Sequence, residues 1–143
     1  MDFKEYIDFA NEVHDCYLAT VEGNQPRVRA MGMISAEETG FYFMTEAVKA
    51  LYKQLQQNNK VEVIFPSRGK VMRVTGEVEF VDDIAYRTQV YEGRKQFMDG
   101  LGVKGPEDPF LVIFRIARGE AFFWTFANNM KEAEIERVKF GSK

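Results

Sequence analysis

Short runs of strand-forming residues, each closed by turn chemistry, limit the fold of this chain most narrowly. Residues 16–21 (CYLATV), 27–35 (RVRAMGMIS) and 41–45 (FYFMT) are separated by residues 22–26 (EGNQP) and 37–40 (EETG). Gly supplies positive φ in such turns and Pro removes a ladder donor, so the spacing predicts a meander of antiparallel hairpins. Four later runs read the same way: 61–65, 70–81, 110–117 and 120–126, the last two split by Arg118 and Gly119. Gly76, inside the long run 70–81, marks a bulge or barrel corner.

Helical spacing interrupts the strands three times. Phe3, Tyr6, Ile7 and Ala10 predict a helix from Phe3 to about His14. Val48, Leu51, Tyr52 and Leu55 predict a second helix from Glu46 to about Asn58. Asp82 and Asp83 precede a third, running from Ile84 to about Met98. Three Gly and two Pro make residues 100–109 a loop, and the tail from Asn128 to Lys143 reads as ambiguous, with a short helix as one option. No βαβ alternation dominates and no Gly-rich phosphate loop follows a strand, which excludes a dinucleotide-binding parallel sheet. The expectation is one mainly β domain over residues 1–143: a β-barrel of six to seven antiparallel strands with flanking helices.

Charge and rare residues remove other function classes. With 19 basic and 22 acidic side chains the net charge is -3, so there is no basic excess to neutralise a phosphate backbone and no nucleic-acid partner is expected. The single Cys16 rules out an internal disulfide framework, and with His14 as the one histidine no metal site is expected. The N-terminus lacks the pattern of a signal peptide and no apolar run is long enough to span a bilayer, so the expectation is a cytoplasmic protein without a membrane partner. The chain has 13 Phe, 6 Tyr and 1 Trp, mostly inside the strand runs. They supply a β core, and any surplus suits an interface or a flat ligand.

Three pieces point to chemistry. Arg27 and Arg29 share one face of the second strand by its period of two, and two guanidiniums on one face can fork onto a phosphate or carboxylate, although a solvated edge strand carries the same pattern. Thr45 to Lys49 forms a strand-to-helix junction, with Thr45 the expected N-cap, free backbone N–H groups in the first turn and Lys49 adding a charge. Phe122, Phe123, Trp124 and Phe126 crowd the last strand, where they pack a core or wall a flat ring. His14 ends the first helix, where a surface or C-terminal role is expected rather than catalysis, and no catalytic side chain stands out.

Taken in order, residues 17–21 (YLATV), 25–29 (QPRVR), 43–45 (FMT), Lys49, 52–55 (YKQL), then 73–77 (RVTGE) and the acidic pair Asp82–Asp83, resemble the pyridoxamine 5'-phosphate oxidase-like FMN-binding split barrels. The resemblance covers most of Phe3 to Phe126. It implies a split barrel that forms a homodimer with FMN at the subunit interface. Carried over by position, it implies a cofactor-binding set of Arg27, Val28, Arg29, Ala30, Met31, Met44, Thr45, Lys49 and Trp124. Within that set Arg29 and Lys49 hold the phosphate, Thr45 adds a hydroxyl, the backbone from Val28 to Met31 faces the flavin, and Trp124 approaches it from its own or the partner subunit. Ala30 stands where the family usually has proline, and the longer members' C-terminal substrate-binding Arg/His segment is missing. The chain therefore resembles the small general-stress and nitroimidazole-resistance-like members, and oxidation of pyridoxamine 5'-phosphate is not expected. The leading expectation is an FMN-dependent oxidoreductase acting on a small molecule. The alternative is a non-catalytic module that holds a flavin, a deazaflavin or haem.

Overall fold

A computed structural model describes residues 2–141. Among these, α1 (Phe3–Val13) leads into β1 (Asp15–Glu22), β2 (Gln25–Gly32), β3 (Ser35–Glu37) and β4 (Gly40–Glu46). Then come α2 (Ala50–Gln57), the hairpin of β5 (Lys60–Ser67) and β6 (Lys70–Phe80), helices α3 (Ile84–Gly93) and α4 (Lys95–Leu101), and strands β7 (Leu111–Trp124) and β8 (Val138–Phe140). The strands pair in the order β2-β1-β5-β6-β7-β4-β3, and β8 adds to β7. Every pairing is antiparallel.

The topology forces curvature. β2 and β3 lie at opposite ends of this strand order, yet only Met33 and Ile34 separate them in sequence. A flat sheet cannot satisfy both conditions. The sheet therefore curls until its ends meet at a seam. Met33 N–H donates to His14 O at 3.1 Å on the β1 side, and Ile34 N–H donates to Tyr42 O at 2.7 Å on the β4 side. The result is a mainly β split barrel with flanking helices.

The aromatic residues fill it. Phe41, Phe43, Phe65 and Phe114 are fully buried, and burying a side chain of that kind is worth roughly 1.5–3 kcal/mol. The apolar face of α1 closes one part of the barrel: the Tyr6 ring stacks on Phe123 at 4.4 Å and the Phe3 ring on Phe140 at 4.9 Å. A second cluster of Val90, Tyr91, Met98, Leu111 and Ile113 seats α3 and α4. Half-buried Arg87 on α3 donates to the carbonyls of Pro106, Asp108 and Leu111 and ties the loop before β7 to the barrel. No helix among the described residues is long and apolar enough to cross a membrane.

The structure differs from the sequence expectations at five places. The last two expected strands are one strand, β7, because Gly119 continues the pairing. It sits opposite Gly76, and a Cβ on either glycine would collide with backbone, Thr75 O in one case and Arg118 O in the other. The irregularity expected at Gly76 falls one residue later, as a register shift between Glu77 and Val78. The third helix is broken at Arg94, whose φ of -130° and ψ of 35° follow the poor helix former Gly93. The second helix begins at Ala50 rather than Glu46, because β4 continues through Glu46. The tail forms two short 3-10 turns and β8 rather than a helix, and Met1 and residues 142–143 lie outside the described residues.

Across the outer face of β6 and β7, four charged side chains interlock. Arg115 Nη2 donates to Glu79 Oε1 at 3.0 Å and Arg118 Nη1 to Glu77 Oε1 at 2.9 Å, while Arg118 Nη2 also reaches Glu79. The Arg115 hydrogen bond, then that of Arg118, hold the Glu79 carboxyl below its ordinary value.

Candidate functional site

The seam opens into a cleft of about 710 Å3, within the size range of small-molecule sites. One wall is the end of β2, from Arg29 to Gly32, continued by Met33 and Ile34. The other is Met44 to Glu46 of β4 and Lys49 to Leu51 at the start of α2. Arg94, Phe97 and Leu101 add a flank from the α3–α4 segment, and His14 stands at the exit of α1.

Arg29 is positioned by strand alternation. Leu18 lies opposite Arg29, and Thr20 opposite Arg27, so these four side chains share one face of the β1–β2 ladder. The Arg29 guanidinium donates to Leu18 O at 3.2 Å, Thr20 Oγ1 at 2.9 Å and Gln54 Oε1 at 2.6 Å. The same Gln54 oxygen accepts from Thr20 Oγ1 at 2.6 Å. Thr20 and Gln54 are 1% and 4% exposed. All three acceptors are uncharged, and no carboxylate within the described residues pairs with this guanidinium. Burial lowers its pKa below the ordinary arginine value, but an arginine stays charged throughout the range in which proteins fold. The cleft therefore carries a partly desolvated cation that makes three hydrogen bonds to neutral oxygens and whose charge is uncompensated.

Lys49 lies beside the cleft with its ammonium 3.1 Å from the Glu46 carboxylate. It occupies the N-cap of α2, no side chain caps that helix, and Ala50 and Leu51 of its first turn line the cleft. Thr45 is not the N-cap the sequence suggests. It is a buried residue of β4 paired with Val112, four positions before the cap, because the strand outlasts its expected end. It still lines the cleft, as do Ala30, Met31 and Met44.

Three of the sequence candidates lie outside the cleft of this chain. Arg27 shares the face of Arg29 but pairs with Glu22 at 2.9 Å. Val28 points to the opposite face and is 68% exposed. Trp124 ends β7 opposite Val71 and is half-buried there.

Other contributors were not assigned from sequence. Thr20 had a legible signal, a polar residue at an inward register position two places after Leu18. Gln54 had one too, three residues after Leu51 on the apolar face of α2. Arg94 and Phe97 had none, since nothing local connects residues 94–101 to residues 29–34. His14 is the helix end that the sequence suggests, and it also lines the cleft.

A sequence model of the family described as pyridoxamine 5'-phosphate oxidase matches residues 3–125. No curated protein matches the chain. Among solved structures, a NimC/NimA family protein from Clostridium acetobutylicum is 27% identical with a TM-score of 0.77, the alignment covering 96% of this chain and 93% of that one. General Stress Protein 26 from Bacillus anthracis is 18% identical over 98% of this chain and 100% of its own, with a TM-score of 0.72. A pyridoxamine 5'-phosphate oxidase-related, FMN binding protein from Nostoc punctiforme is 16% identical over 99% and 98%, with a TM-score of 0.70.

Proposed function

This chain belongs to the pyridoxamine 5'-phosphate oxidase family, and on that premise we propose that it binds FMN in the seam cleft, assembles as a homodimer and acts as a cytoplasmic oxidoreductase on a small molecule. Arg29 carries this reading. A half-buried guanidinium surrounded only by neutral acceptors lacks an anion, and a phosphate beside the uncapped start of α2 supplies one. Lys49 stands at the same helix start. The description of the Nostoc relative as FMN binding supports the choice of flavin.

A bound flavin supplies the redox chemistry. The chain's own residues bind and exclude water. Arg29 and the α2 turn hold the anionic end. Met31, Met33, Ile34 and Met44 line an apolar slot, and Phe97 and Leu101 flank it from the helices. Beside the flavin, such a lining suits a flat aromatic or quinone-like acceptor better than a phosphorylated substrate.

Titrating apoprotein with FMN tests the assignment. Arg29→Ala and Lys49→Ala are each expected to weaken binding about ten- to a hundredfold, as charge-assisted hydrogen bonds of about 1.5–3 kcal/mol require. Riboflavin should bind the wild type less tightly than FMN, with a smaller gap in both variants. Unchanged FMN affinity in both variants rejects the phosphate assignment, and absence of any binding to the wild type rejects the flavin. Reduction of the loaded protein by a nicotinamide donor, followed by reoxidation, separates an oxidoreductase from a carrier.

A second reading draws support from His14, the one histidine of the chain, which lines the same cleft. Imidazole is a common axial ligand of haem iron. A Soret band on adding haem, with no flavin binding, would favour a haem-holding module.

A further inference from the structure

His14 is the one described residue other than glycine with positive φ, at 67° with ψ -52°. That pair of dihedrals is neither right-handed nor left-handed helical but lies near the rare, strained region of a γ-turn. The imidazole does nothing for the helix. The capping bond is made by the backbone, His14 N–H donating to Ala10 O at 2.8 Å, while His14 O accepts from Met33 N–H at 3.1 Å. With both backbone groups tied, the strained dihedral aims the ring at β2. The ring lies on Gly32 so closely that a Cβ there would stand 2.9 Å from His14 Cε1. The side chain remains about half exposed, on the cleft wall. Nδ1 lies 3.4 Å from the Asp15 carboxylate, and Nε2 has no partner within the described residues.

Position along β2 gives this ring its role. Arg29 and the start of α2 mark the anion end of the cleft. Gly32 is three residues further along β2, about 10 Å away at the rise of an extended strand. FMN carries its phosphate at the end of a chain, remote from the ring system. Building on the flavin reading above, we propose that His14 is a ligand-contacting residue at the far end of the cleft, its free nitrogen hydrogen-bonded to the polar edge of the flavin ring.

Because the chain has one histidine, the imidazole Cε1–H resonance of the intact protein belongs to His14 alone. FMN, with binding followed independently by flavin fluorescence, is expected to shift that resonance, and inorganic phosphate is expected not to. His14→Gly, which relieves the dihedral, and His14→Asn, which keeps a β-carbon but removes the ring nitrogen, should each bind FMN about two- to tenfold more weakly, the loss of one ordinary hydrogen bond. The apoprotein of His14→Gly should unfold at no lower urea concentration than the wild type. A merely structural histidine would lower that midpoint and leave affinity alone. If FMN binds without moving the resonance, or inorganic phosphate alone reproduces the shift, the contact is wrong and the flavin reading stands. If FMN does not bind the wild type, both fall.

Discussion

Gln54 accepts two hydrogen bonds at one buried oxygen, from the Thr20 hydroxyl and from the Arg29 guanidinium. Replacing it with leucine keeps the volume and removes the acceptor, which leaves a buried hydroxyl and a desolvated cation short of a partner. An unsatisfied buried donor costs about 1–3 kcal/mol, so Gln54→Leu should lower apoprotein stability by about that much in urea unfolding. A change within about 0.5 kcal/mol, the scale of an ordinary surface substitution, would count against the network. Arg29 was legible in the sequence because alternation along a strand fixes its face. Its partners were harder to read, because Thr20 and Gln54 lie on different elements and meet only when α2 packs against β1. His14 ends α1 half exposed, as its place in the sequence suggests, and only the direction of its ring is not legible there. Helix-end logic describes average geometry, and this helix exits through a rare dihedral.

At the scale of elements, the pair β6 and β7 combines apolar burial on one face with the Glu77, Glu79, Arg115 and Arg118 cluster on the other. The Glu79 carboxyl titrates below its ordinary value of 4.5 in the folded protein. Its contribution is therefore complete above about that pH and is lost as pH falls through the depressed folded value. Glu79→Gln should be less stable than wild type near neutrality, by less than about 1 kcal/mol because the side chain is 41% exposed. The difference should shrink as unfolding is repeated below pH 4.5, and a gap that widens on acidification would contradict the ion pairing. The strands and hairpins were readable because period and turn residues are local signals. The fusion into β7 was not, because Arg118 and Gly119 look like a turn until Gly76 is known to lie opposite. The break at Arg94 is marked locally only by Gly93, and a single glycine weakens a helix without always ending it.

For the whole molecule, the outer face of the β1–β2 ladder sets Tyr17 opposite Ala30 and Ala19 opposite Val28, with Tyr17 48% and Val28 68% exposed. Residues of this kind gathered at a sheet edge suit an isologous contact. Sedimentation of the flavin-loaded wild type is expected to give twice the chain mass of 16.5 kDa, and Val28→Glu is expected to give the monomer. A wild type that sediments as a monomer with FMN bound would contradict the proposed assembly. The stacked rings of Phe3 and Phe140 have a different consequence. They bring the two ends of the described chain side by side, so the path through the barrel nearly closes on itself. A closed path can be opened elsewhere. With the ends joined by a short linker and a new opening at the tip between Ser67 and Lys70, every strand would keep its neighbours, and the same barrel would be spelled by a circularly permuted sequence.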